Sequence, residues 1–159
     1  MYRTIASLVP TTNRLLVEAY SGIGAISLYV RDRADEIIGI ESVKDAVVNA
    51  NANAKNHHAD HVSFLCADAA DKLIYISKQR HIDTLIVDPP RSGLDEAMLY
   101  AICKSKIKHV IYVSCNPATL GKNLSVLTER YEVKRIIPFD MFPNTQHVET
   151  VVLMSMKEK

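Results

Sequence analysis

Lys108–Leu120 reads KHVIYVSCNPATL, and the way this stretch is parsed decides the fold. His109 to Val113 is a β-branched and aromatic run of strand type, which Ser114, Cys115, Asn116 and Pro117 break abruptly. Pro117 suits the first turn of a helix, here expected to run to about Arg130. The unit is strand, tight turn, helix, with a thiol at the carboxyl end of the strand. In an open α/β sheet, ligands collect in the crevice beyond those ends, and first-turn N–H groups favour thiolate character in a cysteine beside them. Cys115 is a candidate nucleophile on that reading and a small hydrophobe at a strand end on the other.

One unit upstream, Ile82 to Val87 is again strand-like and runs straight into Asp88–Leu94, DPPRSGL. Two prolines remove N–H donors and stiffen the backbone, so Asp88 is held at the cleft lip. Its carboxylate can orient a cofactor amino group or a base edge; a turn or cap role is the alternative. Asp95 then opens a helix to about Lys104, in which Cys103 is expected to be packed rather than reactive. Lys104, Lys106 and Lys108 form a candidate basic patch, or a solvated helix end and turn.

Downstream, Val133–Met141 and His147–Met156 are two long strands joined by Phe142, Pro143, Asn144, Thr145 and Gln146, a terminal antiparallel pair. Glu149 interrupts the apolar run of the second, either facing solvent by alternation or buried with a purpose.

Towards the N-terminus, Met1–Val9 reads as a helix closed by Pro10, and Leu15–Ala19 as a strand. Tyr20, Ser21, Gly22, Ile23 and Gly24 follow, then a helical pattern with Ile26, Leu28 and Val30. Gly22 and Gly24 let the backbone approach a ligand closely, and the next helix offers free N–H groups. A GxG pair alone is weak. Glu36–Ile40 is a second strand with Glu41 at its end, about twenty residues beyond the glycines, where an acid can accept both ribose hydroxyls or stabilise a helix N-terminus. Ser27 stands where the third glycine of a dinucleotide fingerprint would fall, so a nucleoside-type cofactor suits better than NAD. Val43–His57 is helical, with Val43, Ala46, Val47, Ala50 and Ala54 on one face. Val62–Cys66 is a third strand with Cys66 expected in the core. Asp68 can take an adenine amino group or cap the helix beginning at Ala69.

Strands and helices thus alternate through the chain, which implies a doubly wound, mostly parallel α/β sheet. At 159 residues and 48% hydrophobic, the chain has the size of one domain with a substantial core. Three cysteines without short spacing argue against a disulfide framework or a zinc site and for a reducing cytoplasm. No apolar run is long enough to span a membrane. With 19 basic and 18 acidic side chains there is no net pull towards phosphate backbones, so a grip on nucleic acid must be local or lie outside this chain.

Asp88–Leu94 (DPPRSGL), Ser114–Leu120 (SCNPATL) and Asp140–Val151 (DMFPNTQHVETV), in that order and spacing, resemble the S-adenosylmethionine-dependent RNA uracil-5-methyltransferase family. Glu18–Gly24 (EAYSGIG) and Gly39–Glu41 (GIE) are similar to its cofactor site, so the resemblance covers nearly the whole chain. It implies the class I methyltransferase fold, a sheet of about seven strands with an antiparallel last strand. It implies Cys115 as nucleophile, Glu149 as the base that removes the C5 proton, and S-adenosyl-L-methionine held by Tyr20, Glu41 and Asp88 at the Gly22 and Gly24 turn, with no metal; Asp68 joins these candidates by its place after the third strand. The implied partner is transfer or ribosomal RNA presenting a flipped uridine. Ser21 departs from a common cysteine, and Lys122–Asn123 from a frequent Arg-Asp pair, which puts any pairing there in doubt. The family's N-terminal region, often with an RNA-binding β-barrel, is expected to precede a chain like this one, making residues 1–159 a catalytic domain. Two alternatives stand: a folded cofactor-binding fragment without turnover, and an amino-methyltransferase acting through Asp88-Pro-Pro.

Overall fold

The computed structural model describes residues 1–141, 143, 144 and 148–158. The chain runs α1 (Tyr2–Leu8), β1 (Asn13–Ala19), α2 (Ala25–Tyr29), a 3-10 turn (Arg31–Arg33), β2 (Ala34–Glu41), α3 (Lys44–Asn56) and β3 (Val62–Cys66). It continues with α4 (Ala69–Gln79), β4 (Thr84–Val87), α5 (Glu96–Lys104), β5 (His109–Ser114), α6 (Pro117–Leu127), β6 (Tyr131–Phe139) and β7 (Glu149–Met156). These seven strands make one sheet in the order β3-β2-β1-β4-β5-β7-β6. β7 is antiparallel to both its neighbours, while β1 to β5 pair in parallel.

Strand alternation sorts the core into two layers. Leu15, Val17, Leu85, Val87, Val110, Tyr112, Val152 and Met154 face α4, α5 and α6, which bring Leu73, Met98, Ile102 and Leu127. Leu16, Ile37, Ile86, Ile111, Val113 and Val151 face α1, α2 and α3, which bring Ile5, Ile26, Val47 and Ala50. The inner strands β1, β4 and β5 are buried on both faces, which is why they read as continuous apolar runs, whereas β3, at the edge, exposes Ser63 and Cys66. β6, at the edge, alternates with exposed positions, and a bulge between Val133 and Arg135 breaks its ladder. Lys134, Arg135 and Pro138 on that strand discourage further pairing.

Side-chain caps fix three helix starts: Asp68 accepts from Asp71 N–H, Asp95 from Met98 N–H and Asn116 from Ala118 N–H. Two expectations are corrected. Cys66 is exposed, because it is the last residue of β3, and its thiol reaches the Ser42 carbonyl at 3.5 Å instead of entering a core layer. Val43 is the N-cap of α3 and is 58% exposed, one position too early to share the face of Val47, Ala50 and Ala54. The helix after the glycines is a single short turn-and-a-half, since the Arg31–Arg33 turn takes over after Tyr29. Phe142, Thr145, Gln146 and His147, in the expected turn and strand start, lie outside the described residues.

One aromatic ring locks the β1–β3 half. Phe64 of β3, 4% exposed, fills the space where Gly24 and Gly39 lack side chains. A Cβ on Gly39 would stand 2.5 Å from Phe64 Cε1, and one on Gly24 2.8 Å. Gly39→Ala is therefore expected to cost about 1–3 kcal/mol through overpacking, read as a lower denaturant midpoint with unchanged slope. Added Phe64→Leu should recover part of the loss, and an unaffected midpoint in Gly39→Ala would contradict this packing.

Candidate active site

The parallel strands end together, and the side chains singled out above collect on that edge. The chain reverses direction of travel between β1 and β4, so a crevice opens beyond their carboxyl ends. On one side lies the turn after β1. Tyr20, Gly22 and Gly24 all have positive φ (62°, 54° and 85°), a coil that only the glycines adopt without strain. Ser21 N–H bonds Ile40 O at 3.1 Å and Gly24 N–H bonds Ser21 O at 2.9 Å, tying the turn to β2 and to itself.

Glu41 braces the same turn from the end of β2. One carboxylate oxygen accepts Gly22 N–H at 2.9 Å and the other accepts Val43 N–H at 3.0 Å. The Ser42 hydroxyl also reaches the second oxygen at 3.4 Å, so it is the oxygen facing Gly22 that keeps a lone pair for a further donor. Tyr20, Glu41, Ser42, Asp68 and Asp95 line one pocket with Ile40 and Ala67–Ala70. Asp68 thus both caps α4 and faces the pocket. Asp95 was legible in the sequence only as a helix start, and its place beside Asp68 comes from the loop that follows β4. Burial pushes the Tyr20 phenol up to about 12, and the Asp95 and Asp68 carboxylates add to it.

Beneath the turn sits a carboxyl that the sequence reading passed over. Glu18, 1% exposed, lies between Val17 and Ala19 on the central strand and faces α2, where its carboxyl accepts both the N–H and the O–H of Ser27. Burial raises it to about 8, with the Ser27 bonds opposing and the Asp88 and Glu41 charges adding. The signal was there: one acid inside a strand that is apolar on both faces. Ser27, where a third glycine would fall, is its partner. Ser21 is buried at 6% exposure, and its hydroxyl has no hydrogen-bond partner among the described residues, a cost a thiol at that position would not bear.

On the other side of the crevice are the ends of β4, β5 and β7. Asp88 follows β4, its N–H reaching Ala19 O at 3.4 Å, and Gly93 N–H closes a turn on Pro90 O at 2.8 Å. Asp88 is exposed at the lip, yet the walls around it keep water from its carboxyl and Glu149 repels its charge, raising it to about 6. Cys115 follows β5 and is half-buried, held between Ser114 and Asn116, whose side chain and backbone exchange two bonds of 3.1 Å. The β5–β7 ladder ends at the Ser114–Thr150 pair, and Cys115 and Glu149 are the next residues of the two segments at that end. Glu149, the first residue of β7, is half-buried on this lip.

The crevice therefore has an acidic pocket on one flank and a thiol and two carboxyls on the other. Among the described residues no group of three or more His, Cys, Asp or Glu is gathered to hold a metal ion, and no helix is long and apolar enough to cross a membrane.

The sequence profile of the tRNA (uracil-5-)-methyltransferase family matches residues 1–157. An uncharacterized RNA methyltransferase of Bacillus cereus is 45% identical over 149 residues, covering 92% of this chain and 32% of that protein. Another, of Listeria innocua, is 40% identical, covering 98% and 35%. The chain thus spans about a third of the length of the curated relatives it matches. Among solved structures, the Pyrococcus abyssi tRNA (uracil-54, C5)-methyltransferase in complex with S-adenosyl-L-homocysteine superposes with a TM-score of 0.80 at 31% identity, covering 96% of this chain and 36% of that one. The N-methyltransferase NodS of Bradyrhizobium japonicum shares the fold alone, with a TM-score of 0.81 at 14% identity, covering 99% and 86%.

Glu18 makes the fold pH-dependent. Its folded value of about 8 lies above its ordinary 4.5, so between those values the native state holds a proton that the unfolded chain has released. Stability should fall as pH rises through that window, by up to about 1.4 kcal/mol per pH unit, and level off above it. Glu18→Gln should flatten this decline and be the more stable protein at pH 8. Equal slopes in denaturant titrations of the two proteins would contradict the assignment.

Proposed function

Because this chain belongs to the tRNA (uracil-5-)-methyltransferase family, we propose that it serves as the catalytic domain that methylates carbon 5 of a uridine in RNA, through a covalent adduct on Cys115. The observation that supports the reading is that the β5–β7 ladder ends at Ser114–Thr150, with Cys115 and Glu149 the next residue on each side, and that the Glu149 charge reaches Asp88.

The residues present fit S-adenosyl-L-methionine. Nothing lies within 4 Å of where a Cβ on Gly22 would be, so the glycine turn offers open room and backbone polar groups to a ligand. The lone pair left on Glu41 suits a ribose hydroxyl, and Asp68 and Asp95 offer acceptors to an adenine amino group. Bound there, the sulfonium supplies an electrophilic methyl group.

Carbon 5 of uracil is too weak a nucleophile to take that methyl unaided. The Cys115 thiolate adds to carbon 6, forming a C–S bond and moving the electron pair of the double bond into an enolate, which makes carbon 5 nucleophilic. Once carbon 5 carries both hydrogen and methyl, Glu149 accepts the hydrogen as a proton. The C–H electrons rebuild the C5–C6 double bond, the C–S bond breaks, and the thiolate returns. Asp88, with a carboxyl raised to about 6, can meet the polar edge of the base. The uridine must leave its stack to reach this lip. A reducing cytoplasm suits the mechanism, since Cys66, Cys103 and Cys115 are all unpaired thiols.

In the full-length enzyme, Cys115→Ala should abolish methyl transfer from labelled cofactor to uridine-containing RNA. Glu149→Gln should slow release by about 10²- to 10⁴-fold and accumulate a protein–RNA adduct stable in denaturing gels. Undiminished activity in Cys115→Ala would favour the amino-methyltransferase alternative, and an active Glu149→Gln without adduct would contradict the role given to Glu149.

A further inference from the structure

Between the two flanking loops lies a buried amide that neither touches the crevice nor belongs to an apolar layer. Asn123 of α6 is 7% exposed. Its Oδ1 accepts Leu94 N–H at 2.8 Å and Tyr112 O–H at 2.7 Å, and its Nδ2 donates to Leu94 O at 3.0 Å. One side chain thereby joins the end of the Asp88 loop, the middle of β5 and the second turn of α6. Asn116, Thr119 and Asn123 follow at spacings of three and four, so they share a helix face. Asn116 Nδ2 and Thr119 Oγ1 both reach Arg91 O at 3.2 Å. The loop from Asp88 to Leu94 is thus fastened to the helix that begins just after Cys115. Gly93 completes the fit: φ is +77°, and a Cβ there would stand 2.6 Å from Asn123 Oδ1 and 3.1 Å from Thr119 Cβ.

We propose that Asn123 is a positioning residue, a clasp that holds Leu94 to Tyr112 and so sets the Asp88 carboxyl against the Cys115 turn. The inference rests on the roles given above to Asp88 and Cys115. Tyr112 is the link to the thiol. Burial pushes its phenol up to about 12, with the Leu94 backbone opposing and the Cys115 sulfur adding, so the three groups sense one another. Leu94 offers both a donor and an acceptor, and the neutral Asn amide answers both.

In the full-length enzyme, Asn123→Ala should lower kcat by about 10²-fold at every pH, in line with the cost of misplacing reacting groups, while the cofactor Kd moves less than about threefold. Amide exchange at Leu94 should report the clasp without any turnover: protected in the parent and unprotected in Asn123→Ala. Gly93→Ala should mimic Asn123→Ala through steric displacement. Parental kcat in folded Asn123→Ala or unchanged Leu94 protection would overturn the proposal. A parent enzyme that transfers no methyl to uridine would instead tell against the roles of Asp88 and Cys115, with Leu94 exchange still judging the clasp.

Discussion

Thirty-odd residues separate Cys115 from Glu149 in the chain, and what carries both to the same edge of the sheet is the antiparallel ladder between β5 and β7, in register from His109–Ser155 to Ser114–Thr150. A slip of one residue would turn every side chain of β7 to the opposite layer, moving Val152 and Met154 away from α5 and α6 and Glu149 off the lip. The register is held because both strands are buried on both faces, so no alternative pairing keeps the apolar side chains inside. The same ladder requires β7 to run against its neighbours. An antiparallel final strand presents its first residue at the edge where the parallel strands present their last, and this is how an acid near the C-terminal end joins a thiol at a strand end.

The crevice has two halves with different physical origins. The cofactor-side half is backbone and packing: three positive φ angles, two glycines filled by Phe64, and a carboxylate already bonded to two N–H groups. The half that bears the chemistry consists of side chains on short loops, braced by local polar contacts such as Ser114 with Asn116 and Asn123 with Leu94 and Tyr112. Glu18 sits under the junction, a buried carboxyl whose pKa is pushed up by burial and further by the Asp88 and Glu41 charges. Fold alone does not decide what such a crevice does, and the residues on its second half carry the functional argument.

Much of this was legible before any coordinates. β-branched runs ended by turn residues located all seven strands, and Asp88, Cys115 and Glu41 were expected at carboxyl strand ends because those runs stop just before them. Glu149 was ambiguous from periodicity alone; its place came only with the pairing partner of β7. Cys66 was misplaced because a cysteine ending an apolar run looks like core, and nothing in the run says that the sheet edge is open there. Glu18 was hidden because an acid within five residues of strand reads as an exception unless the strand is known to be central. Asn123 was noted only as a departure, since its three partners lie on segments 11 and 29 residues away.

The covalent step is the central claim, and RNA carrying 5-fluorouridine at the target position tests it most directly. Fluorine replaces the hydrogen that Glu149 would accept and cannot leave as a cation, so the C–S bond should persist after methyl transfer. Intact mass spectrometry of the full-length enzyme with this RNA and S-adenosyl-L-methionine should show one complex, heavier than protein plus RNA by one methyl group, with the linked peptide containing Cys115. Methylation of ordinary uridine RNA by the same preparation, with no adduct on the fluorinated strand or with the link at Cys66 or Cys103, would contradict the account.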